Sequence, residues 1–130
     1  MKTECRSGAF AYNGKIYPCT LSVAMDLVGG KWKAVILYHL QEGSKRFGEL
    51  HSHLRDATET ILSRQLKQLE HSGLVSRRVY GSKPPLRSEY ALTEFGRSFL
   101  PVLAALTEWG NRAVIERGSF IDPLAPAESD

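Results

Sequence analysis

The residues able to do chemistry in this 130-residue sequence are two cysteines, Cys5 and Cys19, four histidines, His39, His51, His53 and His71, and a basic middle stretch. Cys19 stands just ahead of a segment with helical period. The partial positive charge of a helix N-terminus there lowers a thiol pKa and favours the reactive thiolate, whereas packing as a small hydrophobe leaves it inert. Cys5 is either a resolving thiol for Cys19, in the same or a partner chain, or a bystander in an N-terminal arm. Two cysteines are too few for a disulfide framework or a zinc module and point to a reducing compartment with free thiols. His51 and His53, two apart on a helix, point in different directions, so no metal site is expected. With no Gly-rich phosphate loop, no acid pair in a plausible cleft and no nucleophile elbow, neither an enzyme nor a cofactor is expected.

The charges are unevenly spread. Residues 31–88 hold eleven Lys and Arg against five acids, a surplus of six in a chain whose net charge is +3. A basic middle between acidic flanks suits a domain that turns one face to a polyanion, although ordinary solvated surface gives a similar balance. At about 100° per residue, Glu59, Thr60, Ser63, Arg64 and Lys67 share one polar arc of a helix. Arginine suits bidentate contact with guanine, and Arg64 with Ser63 is the best base-reading pair. Glu59 either stabilises the helix N-terminus or accepts from cytosine. Trp32 reads as core, and Lys31 as a phosphate contact.

The elements that position these residues follow from periodicity. Residues 1–17 show no clear period and read as an arm. Leu21, Ala24, Leu27 and Val28 mark a first helix, capped by Thr20 and stopped by Gly29-Gly30. Trp32, Val35, Ile36, His39 and Leu40 give the buried face of a second. Ser44-Lys45-Arg46 is a link or short strand, and Phe47, Leu50 and Leu54 mark a third helix. Thr58 caps a fourth, Thr58 to Ser72, whose Leu62, Leu66 and Leu69 form the apolar stripe and whose end is set by Gly73. Residues 74–93 alternate as a two-stranded hairpin with a basic, proline-stiffened tip. Thr93 caps a last helix bearing Phe95, Phe99, Val102, Leu106, Trp109 and Ala113 on one face, kinked at Pro101. That stripe outruns what a small core needs and predicts packing against a second subunit. The length suits one domain, no apolar run approaches the roughly 20 residues that span a bilayer, and the opening lacks a signal-peptide core. A cytoplasmic protein without membrane contact is expected.

A helix pair followed by a basic hairpin reads as a winged helix-turn-helix, mainly α with a small β-hairpin. The resemblance to a known family rests on the run from Cys19 to Lys33, then Arg46-Phe47-Gly48-Glu49-Leu50, Leu62 to Glu70, Gly73-Leu74-Val75, Pro84-Pro85, Glu89-Tyr90-Ala91-Leu92-Thr93, Gly96 and Trp109-Gly110. These ordered motifs resemble the HxlR-type winged-helix transcriptional regulators, relatives of the MarR regulators. The resemblance implies a cytoplasmic homodimer that binds double-stranded DNA, on an operator expected to be an inverted repeat. It also implies a sensing role for Cys19, whose counterpart in some members responds to oxidants or electrophiles. The sequence departs from the family pattern where Thr20 follows Cys19, where Ala57 and Thr60 stand, and where Leu86-Arg87-Ser88 lengthens the spacing after Pro85, which implies a bulge or a longer wing tip. The expected DNA contacts are Lys31, Lys45, Arg46, Thr58, Thr60, Ser63, Arg64 and Lys67, with Lys83 and Arg87 on the wing. The expected organisation is an arm over 1–18, a winged-helix domain over 19–117 that includes the dimerisation helix, and a tail over 118–130. A metal- or small-ligand-responsive regulator, and a helical dimerisation module without DNA binding, are the alternative readings.

Overall fold

The computed structural model describes residues 9–121. Within the segment expected as an arm, two short strands, β1 (Phe10–Tyr12) and β2 (Lys15–Tyr17), form an antiparallel hairpin through Asn13-Gly14. Both turn residues have positive φ, at 49° and 75°, which is the geometry Asn-Gly supplies for a two-residue hairpin. Three residues per strand are too few to print a period on the sequence, and the signal that could have found the hairpin is the Asn13-Gly14 pair itself.

Helix α1 (Thr20–Val28) follows, with Cys19 rather than Thr20 at the N-cap. Next come α2 (Lys33–Leu40), the two-residue strand β3 (Lys45–Arg46), α3 (Phe47–His53) and α4 (Glu59–His71). On α2 the buried residues are Ile36, Leu37 and Leu40, while Val35 is exposed and Trp32 half-buried. The expected face is therefore rotated toward Leu37. An eight-residue helix enclosed by α3, α4, α6 and the sheet buries more than one stripe.

The core gathers Ile36, Leu37 and Leu40 of α2, Leu50 and Leu54 around α3, and Leu62, Leu66 and Leu69 of α4. Leu74, Val75, Tyr90 and Leu92 close it from the sheet. The sheet has three strands in the order β3-β5-β4, with β4 Val75–Tyr80 and β5 Arg87–Leu92. Sequence reading found the β4–β5 hairpin and gave Ser44-Lys45-Arg46 as a link or short strand, and the structure makes it a strand that pairs with β5, which no local pattern specifies. The register runs unbroken from Val75↔Leu92 to Tyr80↔Arg87, so the extra residue near the tip lengthens the loop over 81–86 and makes no bulge.

The last helix is not one kinked rod. A four-residue helix α5 (Glu94–Arg97) ends at Ser98, and α6 (Leu100–Arg117) starts afresh with Pro101 in its first turn. Proline at the start of a helix lacks only an N–H that has no intrahelical partner there, so it begins a helix more readily than it bends one. At the entry to α5, Thr93 Oγ1 accepts from Gly96 N–H at 3.0 Å and donates to the Gly73 carbonyl at 2.5 Å. Gly96 is buried, and a Cβ there would overlap the Leu74 carbonyl oxygen. Gly96→Ala is thus expected to lower unfolding stability by about 1–3 kcal/mol through overpacking against backbone. A urea melt of the variant that matches wild type would refute this junction as a tight contact.

Candidate nucleic-acid interface

Helix α4 turns its leucines inward and leaves the opposite arc in water. Leu62, Leu66 and Leu69 are essentially fully buried, whereas Glu59, Thr60, Arg64 and Lys67 are exposed and Ser63 is half-buried. Thr58 Oγ1 accepts from Ile61 N–H at 3.1 Å and so closes the N-terminus. Its hydroxyl therefore caps the helix, although Thr58 was also expected among the DNA contacts. Gly73, with φ of 79°, turns the chain out at the other end.

The turn into α4 is braced by a residue that sequence reading weighed only as a metal ligand. His51 Nε2–H donates to the Ala57 carbonyl at 3.0 Å across the α3–α4 connection, and Ala57 is itself fully buried. Glu49 accepts from the Arg46 N–H at 3.1 Å and caps the start of α3. These two bonds fix both ends of the helix-turn-helix approach to α4.

Two recesses open on the resulting surface. Phe47, Glu59, Thr60, Ser63, Arg64 and Lys67 line one of about 510 Å³. Arg46, Tyr80, Arg87 and Glu89 line another of about 310 Å³ at the base of the wing. Because Arg46 and Phe47 are consecutive, the recesses adjoin at the β3–α3 junction. Each sets two cations against one carboxylate. Glu89 also accepts from the Ser44 hydroxyl. Among the described residues the ion pair within 4.0 Å is Arg112–Glu116, on α6, so Arg46, Arg64, Lys67 and Arg87 keep their charges uncompensated at the surface.

The other expected contacts are dispersed. Lys45 is half-buried opposite Tyr90, Lys83 is exposed at the wing tip, and Lys31 lies outside both recesses with its ammonium 4.9 Å from the Trp32 ring centroid. Sequence reading left two wing arginines out of the expected contacts. Arg77 donates from Nε and Nη2 to Ser88 Oγ at 3.1 and 3.0 Å, and Arg78 stacks 4.6 Å from the Tyr80 ring. Their alternation along β4 carried the signal, since only pairing with β5 shows which arginine lies against the sheet.

Cys19 is buried, with 7% of its surface exposed, and its Sγ lies 3.4 Å from Ser22 Oγ. Its sulfur is engaged in a disulfide, where the sequence led us to expect a free thiol. The β1–β2 register sets the start of β1 at Phe10 beside the end of β2 at Tyr17, two residues ahead of Cys19. Cys5 lies outside the described residues.

The family-model comparison decides what kind of helix pair this is: residues 27–117 match the HxlR-like helix-turn-helix family. The chain belongs to that family. An HTH-type transcriptional regulator of Methanothermobacter thermautotrophicus is 47% identical over 94 residues, covering 72% of this chain and 71% of its own. The redox regulator HypR in its reduced form superposes with a TM-score of 0.69 and 41% identity, covering 75% of this chain and 97% of its own. Quinone-bound YodB from Bacillus subtilis superposes with a TM-score of 0.61 and 28% identity, covering 72% and 91%. The protein is thus an HxlR-like winged-helix member of a family of transcriptional regulators, with α3 and α4 as its helix-turn-helix and β4–β5 as its wing.

Within this HxlR-like domain, His39 of α2 and His53 of α3 stack with ring centroids 4.9 Å apart. Burial, then the proximity of His53 and Lys45, hold the His39 imidazole below its ordinary pKa, with Glu42 opposing. A histidine whose folded pKa lies below its unfolded value of about 6.5 binds fewer protons when folded. Its contribution to stability is therefore present above that value and lost as pH falls through it toward the folded pKa. Urea stability is expected to decline from about pH 7.5 to 5.5, and His39→Gln to flatten the decline. Equal slopes in the two proteins would show that this stack does not report on pH.

Proposed function

We propose that the protein is a homodimeric, sequence-specific DNA-binding transcriptional regulator of the cytoplasm, with Cys19 as its redox-responsive group. The observation that carries the DNA reading is the exposed arc of α4, held outward by a buried leucine stripe and flanked by cations without ion-pair partners. In this reading Thr60, Ser63, Arg64 and Lys67 enter the major groove, where base edges offer distinct donor and acceptor patterns. Arg46, Arg87, Lys83, Lys45 and Lys31 meet phosphates, which position the domain without reading sequence. Arg64→Ala is expected to weaken binding to a selected operator by about 1–3 kcal/mol relative to unrelated DNA. Arg87→Ala is expected to weaken all sequences alike and to reduce the salt slope by about 0.9 for its phosphate. Fluorescence anisotropy across a salt series measures both, and unchanged affinities in both variants would exclude this face.

Helix α6 supports the homodimer. Leu103 is its buried residue, whereas Val102, Leu106, Trp109, Val114 and Ile115 are exposed, Trp109 by 71%. Two apolar grooves flank it: one against α1 and α5, the other against α2. A second copy covering this surface would set two recognition helices about 34 Å apart, on an inverted-repeat operator. Sedimentation at micromolar concentration is expected to give a dimer, and a monomer would refute this part of the proposal.

For Cys19, the support is its place at the N-cap of α1, its engagement in a disulfide, and the likeness to regulators solved in oxidised and quinone-bound forms. Disulfide formation from two thiols releases two protons and passes two electrons to an oxidant such as diamide. Diamide is expected to change operator affinity of the reduced wild-type protein, and Cys19→Ser to abolish the change. A variant that still responds would remove Cys19 from the mechanism.

A further inference from the structure

The β1–β2 hairpin precedes residues 27–117, the stretch matched to the family. Between the hairpin and the last turn of α4 lies a polar chamber of about 400 Å³, bordered also by the end of α1 and the start of α2. That volume falls within the range of roughly 300–1,000 Å³ typical of small-molecule sites. Lys15 and Tyr17 come from the hairpin, Asp26 from α1, Lys33 from α2, and Gln68 and His71 from α4.

The charges in this chamber do not balance. Its carboxylate, Asp26, accepts from the Tyr17 hydroxyl at 2.6 Å, and this bond raises the Tyr17 pKa and keeps the phenol protonated. Lys33 Nζ reaches the Asp26 backbone carbonyl at 3.5 Å and not its carboxylate. Neither Lys15, Lys33 nor His71 has an ion-pair partner among the described residues. Two ammonium groups and an imidazole therefore face one carboxylate that is already hydrogen-bonded, which favours an anionic guest.

We propose that this chamber binds a small organic carboxylate, and that the bound molecule acts as an effector by bridging the hairpin to the recognition helix. A monoanion fits better than a phosphate dianion. The walls offer no arginine fork of the kind that suits a phosphate's several oxygens, only the single ammonium groups of Lys15 and Lys33. The carboxylate sits between Lys15 and Lys33, the Gln68 amide supplies a hydrogen bond, and the Leu27 side chain gives the organic body an apolar wall. The binding step stands apart from the DNA reading. The effector role rests on that reading, because its readout is operator affinity.

Amide NMR of the full chain, titrated with benzoate, its neutral analogue benzamide, and inorganic phosphate, tests the site. Benzoate is expected to give saturable shifts at Lys15, Lys33, Gln68 and His71, and benzamide and phosphate none. The double variant Lys15→Gln/Lys33→Gln is expected to lose the benzoate response while its Tyr12 and Tyr17 signals stay in place. No saturable local shift with benzoate, equal binding of benzamide, or an unaltered response in the double variant would overturn the site. Saturating benzoate is further expected to change operator affinity by roughly fivefold or more. Unchanged affinity with benzoate bound would overturn the effector role, while loss of operator binding in Arg64→Ala reports on the DNA reading separately.

Discussion

The rotational setting of α4 is the constraint on which the rest of this domain depends. Leu62, Leu66 and Leu69 recur at helical spacing and are buried against α2 and the sheet, so the helix has one orientation about its own axis. A rotation of one residue, about 100°, would drive a leucine into water and Ser63 or Lys67 into the core. Burying three leucines favours the observed setting by several kcal/mol, at about 1.5–3 kcal/mol each, before the cost of burying a charge is added. The exposed arc is thus a by-product of core packing, and its chemistry is free to vary without disturbing the fold.

Around that helix, small polar devices hold the geometry. Thr58 closes the start of α4, His51 spans the turn before it, and Thr93 joins the wing to α5 while contacting the Gly73 carbonyl. Buried donors and acceptors are expensive to leave unmet, and no buried side-chain nitrogen or oxygen among the described residues lacks a partner. The cations show the reverse arrangement. Those around α4 and the base of the wing stay exposed and unpaired, so their charge is available to a polyanion instead of being spent internally.

The two ends of the chain extend the domain in different ways. Helix α6 projects an apolar surface larger than its own core can use. The β1–β2 hairpin borders one recess with the last turn of α4 and is hydrogen-bonded to α1 through Tyr17 and Asp26. Cys19 lies between hairpin and helix in the chain, buried at the N-cap of α1.

Much of this architecture was legible in the sequence, because elements longer than about two turns print their period on it. The leucine stripe and cap of α4, the wing strands and the family motifs from Cys19 to Gly110 all came from local pattern. Other features had little local signature. The strands β1, β2 and β3 are too short to show alternation, so the first two were marked only by the Asn13-Gly14 turn and the third could not be told from a link. The break between α5 and α6 and the seat of Gly96 against the Leu74 carbonyl show only in the packed chain. The His39–His53 stack and the gathering of Lys15, Lys33 and His71 around one chamber join residues far apart in the chain, and the His51 brace spans a turn whose path the pattern does not give. Sequence by itself determined the apolar stripe and both ends of α4 and the two strands of the wing, since these follow from side-chain type and nearest neighbours, whereas the cap of α1, the buried face of α2 and the break at Ser98 did not show there. Tertiary structure alone decided which polar groups meet, because such meetings are set by how the packed elements lie against one another, and the sequence order does not contain that arrangement.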